Sequence, residues 1–299
     1  MLSYNHANYI ESSLLSVISQ KEYLTDIEIV IIDDGSTDGT IKIINEVIDK
    51  YGEDVVIRPY FDEHRGITHI SKNFLKLINL ANFEYCCFIA SDDVYVQGAF
   101  EEQLNIFEKF DMVQGVFSDG KNLTSSGEQS CIMGAIDKKV LSSGSVELMV
   151  DYLRNNIPSL FIQSCIVRSY FIKSYESFDS ELIADDWVFN IKFFSELKNR
   201  SFTYKFIDKP VFIRNLHTSN TSRNIVSQYQ RIRQVCEKYS DNAQRIKAQA
   251  FWYSFYIGFK NQEVKSLKVL IKAHFDSFSS VPYSFIEFIK LILNKILKR

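Results

Sequence analysis

The sequence predicts an α/β protein, a parallel sheet with helices on both faces, and three observations predict it. Strand-like and helix-like runs alternate over the first ~110 residues. The helical runs are 10–13 residues long. Two strand-like runs end in adjacent acids, Ile32-Asp33-Asp34 and Ala90-Ser91-Asp92-Asp93. Ligands collect at the carboxyl ends of strands in such sheets. Paired carboxylates at the edge of an apolar core are costly to desolvate unless a cation or hydrogen-bond donors meet them. The two endings therefore point to one cleft for a divalent metal and a polar ligand.

The elements follow in order. Residues 8–19 set Ile10, Leu14, Leu15 and Ile18 at helical spacing. Residues 28–33 are β-branched and strand-like, and Ser36-Thr37-Asp38 offers N-cap residues for a helix ending near Lys50. Residues 55–61 read as a strand, 70–80 as a helix, 85–91 as a strand and 99–109 as a helix. Beyond 111 the alternation loosens, with strands over 112–118 and 161–167 and a helix over 146–154. A further helix, 188–197, follows Asp185-Asp186-Trp187 directly. The segment after 224 is mostly helical. Its end puts Phe285, Ile289, Ile292, Leu293 and Ile296 on one face, with Lys290, Lys295, Lys298 and Arg299 away from it. Such a helix either packs on its domain or makes a peripheral membrane contact through residues 283–299. The domain plan is a main domain over 1–222, in halves 1–110 and 111–222, and a helical region over 223–299.

The opening Met1-Leu2-Ser3-Tyr4-Asn5-His6 leaves no room for a complete strand before the first helix. The first strand is therefore expected to be missing, with the true start upstream.

Of the 299 residues, 46% are hydrophobic and 24% charged, which is ordinary for a globular protein. A net charge of −3 gives no electrostatic case for nucleic acid. The five cysteines include no zinc spacing, and adjacent Cys86 and Cys87 point to opposite faces of a strand, so they read as reduced. No signal peptide is recognisable, and no apolar run approaches the ~20 residues of a membrane span. A cytoplasmic protein is expected, with the inner face of the cell membrane as its possible station.

Asp33-Asp34-Gly35-Ser36-Thr37-Asp38-Gly39 has three readings: a strand-to-helix turn, a calcium loop, and a nucleotide pocket whose carboxylate accepts from a base or ribose. The calcium reading is weakened by Asn45 at its twelfth position and by a β-type flank. Asp92-Asp93 is flanked by apolar residues on both sides, which favours a metal held jointly with phosphate oxygens over a solvated strand exit. Asp185-Asp186 either serves the helix dipole or supplies a general base. His217 lies in a loop rich in donors, which suits phosphate contacts.

Together these residues resemble a family 2 glycosyltransferase of the GT-A fold, a Rossmann-like mixed sheet flanked by helices, from Tyr4 to about Ser222. The matching motifs are Tyr4-Asn5-His6 with Tyr9-Ile10 and Ser16-Val17-Ile18-Ser19-Gln20, then Ile32-Asp33-Asp34-Gly35-Ser36-Thr37-Asp38. Arg65-Gly66-Ile67 with Lys72-Asn73, Ala90-Ser91-Asp92-Asp93, Ala184-Asp185-Asp186-Trp187, and His217 with Asn220-Thr221-Ser222 follow in the family's order. Lys72 stands where the family usually has Arg, and Asp185 where it has Glu.

The resemblance implies a nucleotide-sugar-binding half over 1–110, an acceptor half over 111–222 and a C-terminal helical extension. It implies inverting transfer of a sugar from a nucleoside diphosphate sugar, UDP-linked by preference, to a saccharide or lipid-linked saccharide in surface polysaccharide synthesis. Tyr4 would stack on the base, and Asp34, with Asp33, would bind base or ribose. Lys72 would bind substrate. Asp93, with Asp92, would hold Mn²⁺ or Mg²⁺, and His217 would touch the diphosphate or metal. Asp186 would act as the base, with Asp185 and Trp187 shaping the acceptor site. The competing readings are a non-catalytic nucleotide-sugar-binding protein or truncated inactive transferase, a calcium-binding module, and a two-carboxylate glycosidase.

Overall fold

The computed structural model describes residues 1–183, 186–217, 220, 224–275 and 283–290. Contacts divide the chain into two units, residues 1–150 with 158–217, and residues 151–157 with 218–299.

The strands of the first unit are β1 Leu2–Ser3, β2 Glu28–Asp33, β3 Val56–Phe61, β4 Tyr85–Cys87, β5 Val94–Tyr95, β6 Val113–Thr124, β7 Gln129–Cys131, β8 Cys165–Arg168 and β9 Thr203–Leu216. β1, β2 and β3 form a parallel sheet in that order. The second sheet runs β4-β8-β6-β9-β5, with β7 paired to β6. It is mixed: β6 and β9 run parallel, while β8 and β5 pair antiparallel with their neighbours.

The strand expected to be missing is represented by the two residues of β1, Leu2–Ser3. β1 pairs with β2, and Leu2 bridges Ala90 on its other side, where the Ser91 amide donates to the Leu2 carbonyl at 3.2 Å. These two residues therefore join both acidic endings to one seam. The Met1 amine donates to the Val30 carbonyl at 2.8 Å, and burial lowers its pKa to about 5.

β2 is a run of isoleucines and valine because helices cover it; Ile29, Ile31 and Ile32 are buried. The expected strand over 85–91 is shorter than its apolar run. Ladder pairing ends at Cys87, and Ala90 is bridged to Leu2 of β1 instead, while the Tyr95 hydroxyl takes up the Phe88 carbonyl at 2.6 Å. The strand expected over 161–167 begins only at Cys165, because a single 3₁₀ turn, Ile162–Ser164, precedes it. The helix Asp186–Asn199 buries Phe193 and Phe194 against Phe117 of β6, and Phe189 against Phe88. Gly115 admits those rings, since a Cβ there would lie 2.6 Å from Phe193. Arg168, at the end of β8, is buried and donates to the Val113 and Phe107 carbonyls and to Glu84.

The second unit contains the helices Ile225–Tyr239, Ala243–Lys260 and Val264–Phe275, and residues 283–290 are also helical. Tyr229, Ala250, Phe251 and Leu270 form its core. His274 is buried there, stacked on Phe251 at 4.1 Å, with Tyr229 Oη 2.7 Å from Nδ1 and Ser284 Oγ 2.5 Å from Nε2. Burial, then the charges of Lys247 and Arg233, lowers its pKa from 6.5 to about 4. Below 6.5 the unfolded chain takes up a proton that the folded ring refuses, so stability is full above that pH and falls down to about 4. The unfolding midpoint is expected to drop across this window. It should drop less in His274→Gln; an identical slope in the variant would assign the loss to other groups.

Candidate active site

The site grows from the turn after β2. Asp33 is fully buried and faces inward: the Ser36 amide donates to its Oδ1 at 2.8 Å and the Ser36 hydroxyl to its Oδ2 at 2.7 Å. That turn is stitched to the segment after β1. The Thr37 amide donates to Asn5 Oδ1 at 2.8 Å, the His6 amide to Thr40 Oγ1 at 2.9 Å, and the Ala7 amide to Asp38 Oδ2 at 3.0 Å. The following helix, Thr40–Tyr51, starts after Gly39, and Asp38 serves its first turn by accepting the Thr40 amide at 3.1 Å. Gly35 is required, because its φ is +76° and a Cβ would sit 2.6 Å from the His64 amide nitrogen.

Asp34 faces the segment that begins at His64. Its Oδ2 accepts the Gly66 amide at 3.0 Å and lies 2.9 Å from His64 Nδ1. The His64 ring in turn stacks on Tyr4, with centroids 4.1 Å apart and planes at 14°. Tyr4, Asp34 and His64 thus form one cluster on an open surface, Tyr4 being 40% exposed.

The second acidic ending forms an adjoining cluster beyond β1. Asp92 Oδ2 lies 3.0 Å from His217 Nε2 and 3.8 Å from His6 Nε2. Tyr9 stacks on His217 at 4.5 Å, and Ser91 Oγ holds His6 Nδ1 at 2.7 Å. Desolvation lowers the pKa of His6 despite the charge of Asp92. Asp93 points the other way and is buried. The Asn215 amide donates to its Oδ1 at 3.0 Å and Gln163 Nε2 to its Oδ2 at 3.1 Å. Burial, then the charge of Asp92, pushes the Asp93 carboxyl up to about 7.

Asp186 is tied to the same place. It opens the helix Asp186–Asn199, and its Oδ1 accepts the Ile162 amide at 2.7 Å. Consecutive residues of one 3₁₀ turn, Ile162 and Gln163, therefore hold Asp186 and Asp93.

Of the other residues singled out in the sequence, Trp187 is buried in that helix, while Lys72 is exposed on the first turn of Ile70–Leu80 and bonds to no described residue. Asp185, Thr221 and Ser222 lie outside the described residues. No role for His6, His64 or Gln163 was legible in the sequence. The only signal for His6 was its place beside Tyr4-Asn5, and the other two carry no local signature.

Among the described residues, no group of three or more His, Cys, Asp or Glu side chains could hold a metal by itself. A cation that arrives with a diphosphate needs only one or two protein ligands, since phosphate oxygens and water complete its shell. The Asp92 carboxylate and the His217 imidazole, already in contact, fit that requirement.

A mixed α/β sheet with acids and aromatics gathered at its strand ends has the GT-A fold. Solved structures share this fold: S. aureus TarS residues 1-349 (TM-score 0.58, 18% identity, 91% of this chain and 79% of that one). The mannosyltransferase PcManGT from Pyrobaculum calidifontis, in complex with GDP-Man and Mn2+, gives a TM-score of 0.54 at 15% identity, over 98% of this chain and 78% of that one. Residues 1–133 match the model of glycosyl transferase family 2. The dTDP-rhamnosyl transferase RfbG of Shigella flexneri is 39% identical over 98 residues, 32% of this chain and 32% of the relative. The abequosyltransferase RfbV of Salmonella typhimurium is 36% identical over 93 residues, 30% of this chain and 26% of the relative. These matches span about a third or less of the curated relatives.

Proposed function

We propose that the chain transfers a sugar, with inversion, from a nucleoside diphosphate sugar to an acceptor hydroxyl during synthesis of a cell-surface polysaccharide such as capsule or O-antigen. The observation that supports this reading is the turn Ile162–Ser164, which fixes Asp186 and Asp93 from successive residues. Such an arrangement suits a base on the acceptor side acting next to a diphosphate on the other.

Asp186 takes the acceptor proton, and the Ile162 amide orients its carboxylate for that task. Asp185 and Trp187 shape the acceptor site. Tyr4 offers its ring to the base, and Asp34 accepts from base or ribose. Asp33 keeps the turn in shape through Ser36, and Lys72 reaches the donor from its exposed position. Asp92 and His217 hold a divalent cation, with Asp93 behind them. When bound, that cation offsets charge on the departing diphosphate.

The family and the names of the relatives favour polysaccharide synthesis. TarS has been crystallised with UDP-GlcNAc, which supports a UDP-sugar donor. A saccharide or lipid-linked saccharide is the proposed acceptor, reached from the cytoplasmic side of the membrane.

Titration with UDP, GDP and dTDP, with and without Mn²⁺, tests the reading by calorimetry. Metal-enhanced binding of one nucleotide is the expected result. Absence of binding to all three, in either condition, would overturn it.

A further inference from the structure

Charge is spread unevenly along this chain. Residues 218–299 hold 14 lysines and arginines against 5 acids, whereas residues 1–217 hold 20 against 32. A chain of net charge −3 therefore ends in a strongly cationic stretch.

Within the second unit, the helix over 283–290 is inverted for a protein surrounded by water. Ser284 and Glu287 are buried, and the Ser284 carbonyl accepts Trp252 Nε1 at 2.6 Å. Phe285, Ile286 and Ile289 are 68%, 51% and 41% exposed. A water-facing helix normally turns its apolar stripe inward, and contiguous exposed apolar surface marks an interaction site.

The helix Val264–Phe275 is joined to this one through His274 and Ser284. It exposes Val264, Val269, Ile271 and Phe275 among the exposed Lys265, Lys268 and Lys272, and it contains no acid. Lys290 continues the basic pattern.

Apolar side chains interleaved with ammonium groups match the boundary between lipid phosphates and acyl chains. An apolar groove on another protein would accept the phenylalanine and isoleucines but would leave the excess of positive charge unanswered. Insertion across the bilayer is a different matter, because no described helix is long and apolar enough to span it. We propose that the helical unit docks on an anionic membrane surface through the outward faces of residues 264–275 and 283–290.

The test is co-sedimentation of the full chain with vesicles of phosphatidylcholine alone and of phosphatidylcholine mixed with phosphatidylglycerol. Binding is expected only to the mixed vesicles, and it should weaken as salt rises. Changing Lys265, Lys268, Lys272 and Lys290 together to Gln should lower partitioning at least ~100-fold. Phe285→Ser with Ile286→Ser should lower it at least ~10-fold, with helical dichroism and the unfolding midpoint unchanged. Equal binding to both vesicles, or binding to neither, would overturn the proposal. So would self-association that Phe285→Ser abolishes in a chain that ignores lipid, since that face would then belong to a second copy.

Discussion

Asp186→Asn is expected to lower turnover at least ~100-fold, the low end of what a positioned general base contributes. The substitution keeps an oxygen where Oδ1 accepts the Ile162 amide at 2.7 Å, so the helix start and the 3₁₀ turn should hold their places. What disappears is the carboxylate proposed to accept the proton as the acceptor hydroxyl attacks. Donor affinity should therefore stay near that of the parent chain while kcat falls, a split read by pairing steady-state transfer rates with nucleotide calorimetry. Near-normal turnover in the variant would move the base to another residue.

Asp92→Ala is expected to remove the gain in nucleotide affinity that Mn²⁺ provides, lowering metal-supported binding at least ~100-fold. Losing even a partner that only orients a ligand typically lowers metal affinity 10–100-fold, and Asp92 is proposed to be a ligand itself. Asp93→Asn gives the contrast. Asp93 already accepts from the Asn215 amide and Gln163, so its proposed part is to brace the pocket wall. Calorimetry with and without Mn²⁺ should show Asp93→Asn retaining more of the metal response than Asp92→Ala. The reverse order would place the cation on Asp93.

Much of the frame was legible because it is written locally. The β-branched run 28–33 and the amphipathic stripe 70–80 form the elements expected of them, Glu28–Asp33 and Ile70–Leu80. Both acidic endings stand out because each interrupts an apolar run with charge. What was illegible depends on partners distant in sequence. Nothing near Cys165 announces that β8 will enter the second sheet antiparallel between β4 and β6. Asp92 and Asp93 read as one motif, yet neighbouring residues diverge, and their surroundings come from His217, Asn215 and Gln163, more than 60 residues away. Gln163 was unreadable for the same reason: its importance lies in the carboxylate it meets.

The stack of His64 on Tyr4 has a consequence for ligand arrival. Aromatic rings 4.1 Å apart are already in contact, so no third ring fits between them. The same imidazole also engages Asp34, the carboxylate proposed to read the base or ribose. One side chain of the protein thus rehearses both contacts proposed for an incoming nucleoside. An arriving base must use the far face of Tyr4 or exchange places with the imidazole. In the second route the measured affinity is the intrinsic one scaled by the fraction of molecules with His64 swung aside. Selectivity among nucleotides would then be a contest in which the protein's own imidazole is the reference competitor.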